Sequence, residues 1–195
     1  MARKGDYLMK KTNIRKLTVS AILIALGAVL SLIKPFPPMP LGGSVTLFSM
    51  VPITLIAVMF GTRWGLFSAF VYSLVQIGLD VAGMMAWGMD ARMWVGAIIF
   101  DYLVAYTVIG FSGLFKKRDF PGICFGICLA LSLRFISHFI SGCIFFSIWS
   151  PWDNPYIYSI CYNGAYMLPE LVFTLIAVTI LYKTNAIKRL LNEVQ

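Results

Sequence analysis

Charge is scarce in this chain. Only 12% of its residues are charged and only eight are Asp or Glu, too few to clothe the surface of a soluble domain. There is one histidine, and Cys124, Cys128, Cys143 and Cys161 show no C-x-x-C spacing. A disulfide framework or a His/Cys metal site has no support, and these cysteines read as small packing residues. H-E-x-x-H, G-x-S-x-G and Walker sequences are also missing, which leaves metalloprotease, serine hydrolase and nucleotide-hydrolysing chemistry without a motif. No cofactor or metal is expected. Neither an internal repeat nor a linker interrupts the chain, so one domain over residues 1–195 is expected.

Apolar sequence is abundant instead. The chain is 59% hydrophobic, with a mean hydropathy of +0.83, and a bilayer-crossing helix needs about 20 mostly apolar residues. Six stretches qualify as helices: Leu17 to Lys34, Leu47 to Gly61, Trp64 to Val81, Met93 to Phe115, Pro121 to Ser147, and Ile157 to Tyr182. The expected fold is an all-α integral membrane bundle of six transmembrane helices. The second stretch is short, and is expected either to begin earlier, near Val45, or to stop short of a full crossing. The first is too long for a cleaved signal and runs into the Pro-rich segment Lys34–Pro40 rather than a small-residue cleavage site.

A net charge of +8 could point to nucleic acid, but its placement argues for a membrane. If the six helices alternate, all Lys and Arg but Lys34, Arg92 and Arg134 fall on one side: Arg3, Lys4, Lys10, Lys11, Arg15, Lys16, Arg63, Lys116, Lys117, Arg118, Lys183, Lys188 and Arg189. The positive-inside rule then puts both termini in the cytoplasm. Basic groups flanking helices, with no interleaved aromatic patch, exclude a nucleic-acid surface.

Asp101, Arg134, His138 and Glu170 lie inside these apolar stretches, where each ionised side chain costs roughly 2.5 to 3.5 kcal/mol on insertion scales. At about 1.5 Å per residue, Asp101, His138 and Asn163 fall roughly 9 to 14 Å below the outer helix ends, while Arg134 and Glu170 fall roughly 20 Å below them. The deeper two have opposite charges at one depth, and the plainer account is a structural ion pair; a role in the floor of a site is the alternative. In the upper layer, His138, Gly142 and Phe146 follow at i, i+4 and i+8. Asp101 has no basic residue of matching depth, which points to a cation from outside or to protonation, and Tyr102 beside it offers a hydroxyl or a ring face. An acid with aromatic rings suits a cationic, aromatic ligand. Tyr158 and Asn163 enter the same layer from the sixth helix, although Tyr158 equally suits an interfacial aromatic belt. Pro35, Pro37, Pro38 and Pro40, followed by Gly42-Gly43, suit either a cover over a cavity or a rigid turn.

These residues resemble the ThiT family, the thiamine-specific substrate-binding S components of energy-coupling factor (ECF) transporters. The resemblance runs through Met39-Pro-Leu-Gly-Gly-Ser-Val45, Met50-Val-Pro-Ile53, Arg63-Trp-Gly65, Phe100-Asp-Tyr-Leu-Val-Ala105, Ile109-Gly-Phe-Ser-Gly113, Leu133-Arg-Phe135, His138-Phe-Ile-Ser-Gly142, Tyr158-Ser159 and Tyr162-Asn-Gly-Ala-Tyr-Met-Leu-Pro169. It implies a multi-pass cell-membrane protein that captures thiamine from outside and catalyses no covalent change. It implies substrate contacts at Asp101, Tyr102, His138, Phe146, Tyr158 and Asn163, with acid and amide groups serving the aminopyrimidine and rings serving the thiazolium. Some relatives carry Glu at the position of Asp101 and Trp at that of Phe146; Trp94 or Trp149 is the expected compensation. Ala21 and Ala25, an A-x-x-x-A pair on the first helix, would dock a transmembrane coupling protein, itself served by two cytoplasmic ATPases; intramolecular packing is the competing reading. An S component for another small vitamin or precursor, such as hydroxymethylpyrimidine, is the alternative within the class, and a small intramembrane enzyme built on His138 and Asp101 is the remote one.

Overall fold

A computed structural model describes residues 4–115 and 119–194, with side chains described over 13–115 and 119–191. Arg3 and Lys116 to Arg118 of the basic group lie outside the described residues, as do the side chains of Lys4, Lys10 and Lys11. Among the described residues all regular structure is helical, without strands. The helices are α1 (Lys4–Ser31), α2 (Met50–Phe60), α3 (Thr62–Met85), α4 (Ala91–Gly113), α5 (Phe120–Trp149), α6 (Pro155–Lys183) and α7 (Ala186–Val194).

Five of these, α1 over Asn13–Ser31 and α3 to α6, are long and apolar enough to cross a bilayer. Their surfaces carry large apolar side chains turned outward, such as Ile22, Phe67, Phe125, Leu168 and Ile176. An aqueous surface would not hold so many, and lipid explains them. The 11-residue α2 is the exception: at 1.5 Å per residue it covers only about 16 Å, half of a hydrocarbon core of about 30 Å. It begins at Met50 rather than near Val45, because Phe48 takes a left-handed φ of 62° that a helix cannot continue through. Every residue of α2 but Phe60 is buried, which makes it the central post around which α1, α3, α4 and α6 pack. From the far end α7 completes the post, with Ile187 and Leu191 entering the same apolar cluster as Ile56 and Met59. That short helix went unread in the sequence.

Polar caps set three of the helix starts, each cap standing immediately before the first helical residue. Asp90 accepts from Met93 N at 2.8 Å to open α4, and Asp119 accepts from Gly122 N at 3.1 Å to open α5. Asn154 accepts from Tyr156 N and Ile157 N at 2.9 and 3.3 Å to open α6. Pro121 and Pro155 sit in the first turns, where the missing N–H has no helical partner to lose.

Two helices change pitch. Within α4, Ala97–Val104 is π-helical, and within α5 so is Gly142–Phe146. Such stretches are rare and concentrate at functional sites. Both occur at the same end of the bundle, beside the 32–49 connection.

Candidate functional site

At that end, the C-terminal turns of α1, α3 and α5 and the N-terminal turns of α2, α4 and α6 surround a cavity of about 130 Å³, several times the share of one water molecule. Its lining includes Asp101, Tyr102, His138, Phe146, Tyr158 and Asn163. It also includes Arg134 and Glu170 below them.

From the π-helical stretch Ala97–Val104, α4 contributes two neighbours to the lining, Asp101 and Tyr102. Asp101 is not the unmatched acid its depth suggests. His138 Nδ1 lies 2.8 Å from its Oδ1, and Ser141 Oγ donates to its Oδ2 at 2.6 Å. The counting along helices placed His138 in the same layer but did not take its imidazole as a partner for Asp101, nor foresee the serine hydroxyl that stabilises the carboxylate. The other imidazole nitrogen, His138 Nε2, is buried and makes no hydrogen bond, and the ring stands edge-on to Tyr166 at 5.9 Å between centroids.

Asn163 locks α5 to α6. Its Nδ2 donates to His138 O at 3.2 Å, to Ser159 O at 3.0 Å and to Ser159 Oγ at 3.1 Å, and its Oδ1 accepts from Tyr166 Oη at 2.7 Å. Most of the amide is used internally, which leaves one Oδ1 lone pair for anything in the cavity. The helices meet closely at Gly142, where a Cβ would collide with Ser159 Oγ and sit 3.2 Å from Asn163 Nδ2.

The deep layer is an ion pair and also a wall. Arg134 Nη1 donates to Glu170 Oε2 at 2.8 Å and to Met50 Sδ at 2.9 Å, and the guanidinium lies 4.6 Å from the Tyr106 ring centroid. Glu170 Oε1 takes the Thr46 N–H at 3.2 Å together with the Thr46 hydroxyl, which is 2.5 Å from Ser49 Oγ. The buried pair thus offsets its own desolvation and anchors the connection between α1 and α2.

That connection covers part of the cavity. Leu41, Gly42, Gly43, Ser44 and Thr46 line it from above. Tyr162 Oη donates to Pro40 O and accepts from Gly43 N at 3.0 Å. Leu41 and Gly42 both take positive φ, 61° and 87°, and a Cβ at Gly42 would enter the Trp87 ring. The segment is held over the cavity, so the two readings of its Pro/Gly composition coincide: it is a fixed turn and it lies over a cavity.

Trp94 is not among the lining residues; it packs around Met84 and Tyr102 instead. Trp149 packs against Phe146 at a tilt, 5.7 Å between ring centroids, and is not in the lining. The tryptophan that does line it is Trp87, unanticipated because it follows α3 in a turn whose facing has no periodicity. Sequence reasoning also passed over Gln76, Asp80, Tyr162 and Tyr166, all in the lining. The signals were present: Gln76 and Asp80 are one turn apart within an apolar helix, and Tyr158, Tyr162, Tyr166 and Glu170 recur every fourth residue along α6. Ala21 and Ala25 are both exposed on α1, so they do not pack inside the bundle.

Comparison with known proteins agrees with this architecture. The family model described as Thiamine transporter protein (Thia_YuaJ) matches residues 17–190. Thiamine transporter ThiT of Bacillus subtilis (strain 168) is 32% identical over 178 residues, covering 84% of this chain and 88% of the relative. ThiT of Lacticaseibacillus paracasei is 26% identical over 147 residues, covering 69% and 71%. The solved structure of ThiT from Listeria monocytogenes superposes with a TM-score of 0.73 over 92% of this chain and 98% of that one, at 23% identity, and shares the fold. From the length and identity of these matches, the chain belongs to the thiamine transporter protein family, a family of non-enzymatic, multi-pass proteins of the bacterial cell membrane.

Proposed function

We propose that this chain is the thiamine-capturing S component of an ECF importer, loading the vitamin from outside into the covered cavity. The observation that carries the reading is the Asp101–His138–Ser141 cluster at a cavity lined by tyrosines and partly covered by Leu41 to Ser44 and Thr46. A carboxylate held in place by two donors is an acceptor for one N–H of the exocyclic amine of an aminopyrimidine, and the unpartnered His138 Nε2, an acceptor while Nδ1–H is given to Asp101, can take another N–H. Phe146, Tyr102 and Tyr158 offer ring faces to a thiazolium, an attraction worth roughly 0.5 to 2 kcal/mol.

Both termini lie in the cytoplasm in this reading, and the covered cavity opens to the outside. Release inward requires a partner, because the chain has no nucleotide motif of its own. The outward-facing Ala21 and Ala25 mark the face on which a transmembrane coupling protein, with its two ATPases, docks. Mass spectrometry of the molecule retained through purification, followed by tryptophan-fluorescence titration with thiamine, tests the proposal. Saturable quenching with thiamine in the retained fraction is the expected result. Retention of free hydroxymethylpyrimidine, with no response to thiamine, would replace the substrate.

A further inference from the structure

A second carboxylate lines the same cavity. Asp80 lies on α3, within an apolar run and five residues before the helix ends. Its Oδ2 accepts from Tyr102 Oη at 3.1 Å, and among the described residues it has no other hydrogen bond and no ion pair. The neighbouring charges are accounted for otherwise. Arg134 is taken by Glu170, both oxygens of Asp101 are engaged by His138 and Ser141, and Lys34, which also lines the cavity, is an exposed residue at its rim. Satisfying one tyrosine hydroxyl needs only a neutral acceptor. Asp80 is half-buried in the cavity lining, and a carboxylate that is partly withdrawn from water without a basic partner gains when a positive charge arrives to meet it.

We infer that Asp80 is the counter-ion for the ligand's fixed positive charge, so that the two carboxylates divide the work: Asp101 recognises hydrogen-bond donors and Asp80 recognises charge. The inference rests on the thiamine reading. Tyr102 sits between the two acids in the chain of contacts, adjacent to Asp101 along the backbone and bonded to Asp80 through its hydroxyl. Trp87, from the turn after α3, lines the same cavity and packs in the cluster that contains Tyr102. Acid and aromatic faces together make a cation-selective wall.

The test compares thiamine with 3-deazathiamine, an isostere whose thiophene ring has no charge, by fluorescence titration of the full-length protein. Wild type is expected to prefer thiamine by about tenfold, or ~1.4 kcal/mol. Asp80→Asn is expected to lose that preference by weakening thiamine binding alone, and Asp80→Glu to keep it. A full preference retained in Asp80→Asn overturns the inference. The wild-type ratio needs no variant, and equal affinity for the two compounds also overturns it. Wild type that binds neither compound overturns the thiamine reading itself, and the role of Asp80 with it.

Discussion

Glu170 and Thr46, 124 residues apart, are joined through a carboxylate oxygen that accepts the Thr46 backbone N–H at 3.2 Å, while the other oxygen of Glu170 holds Arg134 at 2.8 Å. One buried acid therefore couples the cavity floor to the root of its cover. Glu170→Gln leaves Arg134 as an uncompensated buried charge, and a loss of about 3 to 5 kcal/mol is expected. Thermal unfolding in detergent measures it. Replacing both partners with leucine should recover more than half of the loss, and a double variant no more stable than Glu170→Gln would contradict the pairing argument.

Asp101→Asn and His138→Ala are each expected to weaken thiamine at least tenfold, about 1.4 kcal/mol. Calorimetric titration reads both. Affinity unchanged in the two variants would remove the proposed recognition cluster, whatever happened to uptake.

Tyr162→Phe deletes the hydroxyl that joins α6 to Pro40 O and Gly43 N. Each hydrogen bond is worth about 1 kcal/mol net, so with two lost thiamine dissociation should accelerate by about fivefold to thirtyfold. Amide exchange at residues 41–44 should rise in parallel. Stopped-flow release at the wild-type rate would show that this hydroxyl does not hold the cover.

Gly142→Ala places a methyl against Ser159 Oγ and Asn163 Nδ2. Overpacking costs about 1 to 3 kcal/mol, and here it forces apart the two helices that carry His138 and Asn163. Reduced melting temperature together with weaker thiamine binding is expected. Normal behaviour on both counts would mean that the α5–α6 contact adjusts freely.

Ala21→Leu with Ala25→Leu changes a surface that faces away from the bundle. Thiamine affinity of the isolated chain should stay as in wild type. Uptake by cells that supply the coupling partners should fall about fivefold or more, a loss of ~1 kcal/mol in assembly. Lost affinity in the isolated chain would instead place these alanines in the internal packing.

Some of this was legible along the chain. Hydropathy is a local sum, so the membrane class and most helix positions follow from composition alone. Rise per residue is nearly constant, so the depths of Asp101 and His138, and of Arg134 and Glu170, could be matched across helices before their contacts of 2.8 Å were seen. The α6 ladder Tyr158, Tyr162, Tyr166 and Glu170 was readable on the same ground.

The rest required the packed molecule. The π-helical turns at Ala97–Val104 and Gly142–Phe146 redirect side chains by hydrogen-bond shifts that residue type does not announce. Whether Asn163 is free or spent, whether Asp101 is already partnered, and which tryptophan reaches the cavity depend on neighbours dozens of residues away. Asp80 became visible as a site residue only when α3 was placed against Tyr102. Depth is a property of one helix and can be counted along it, whereas facing is a relation between helices and exists only once they have packed.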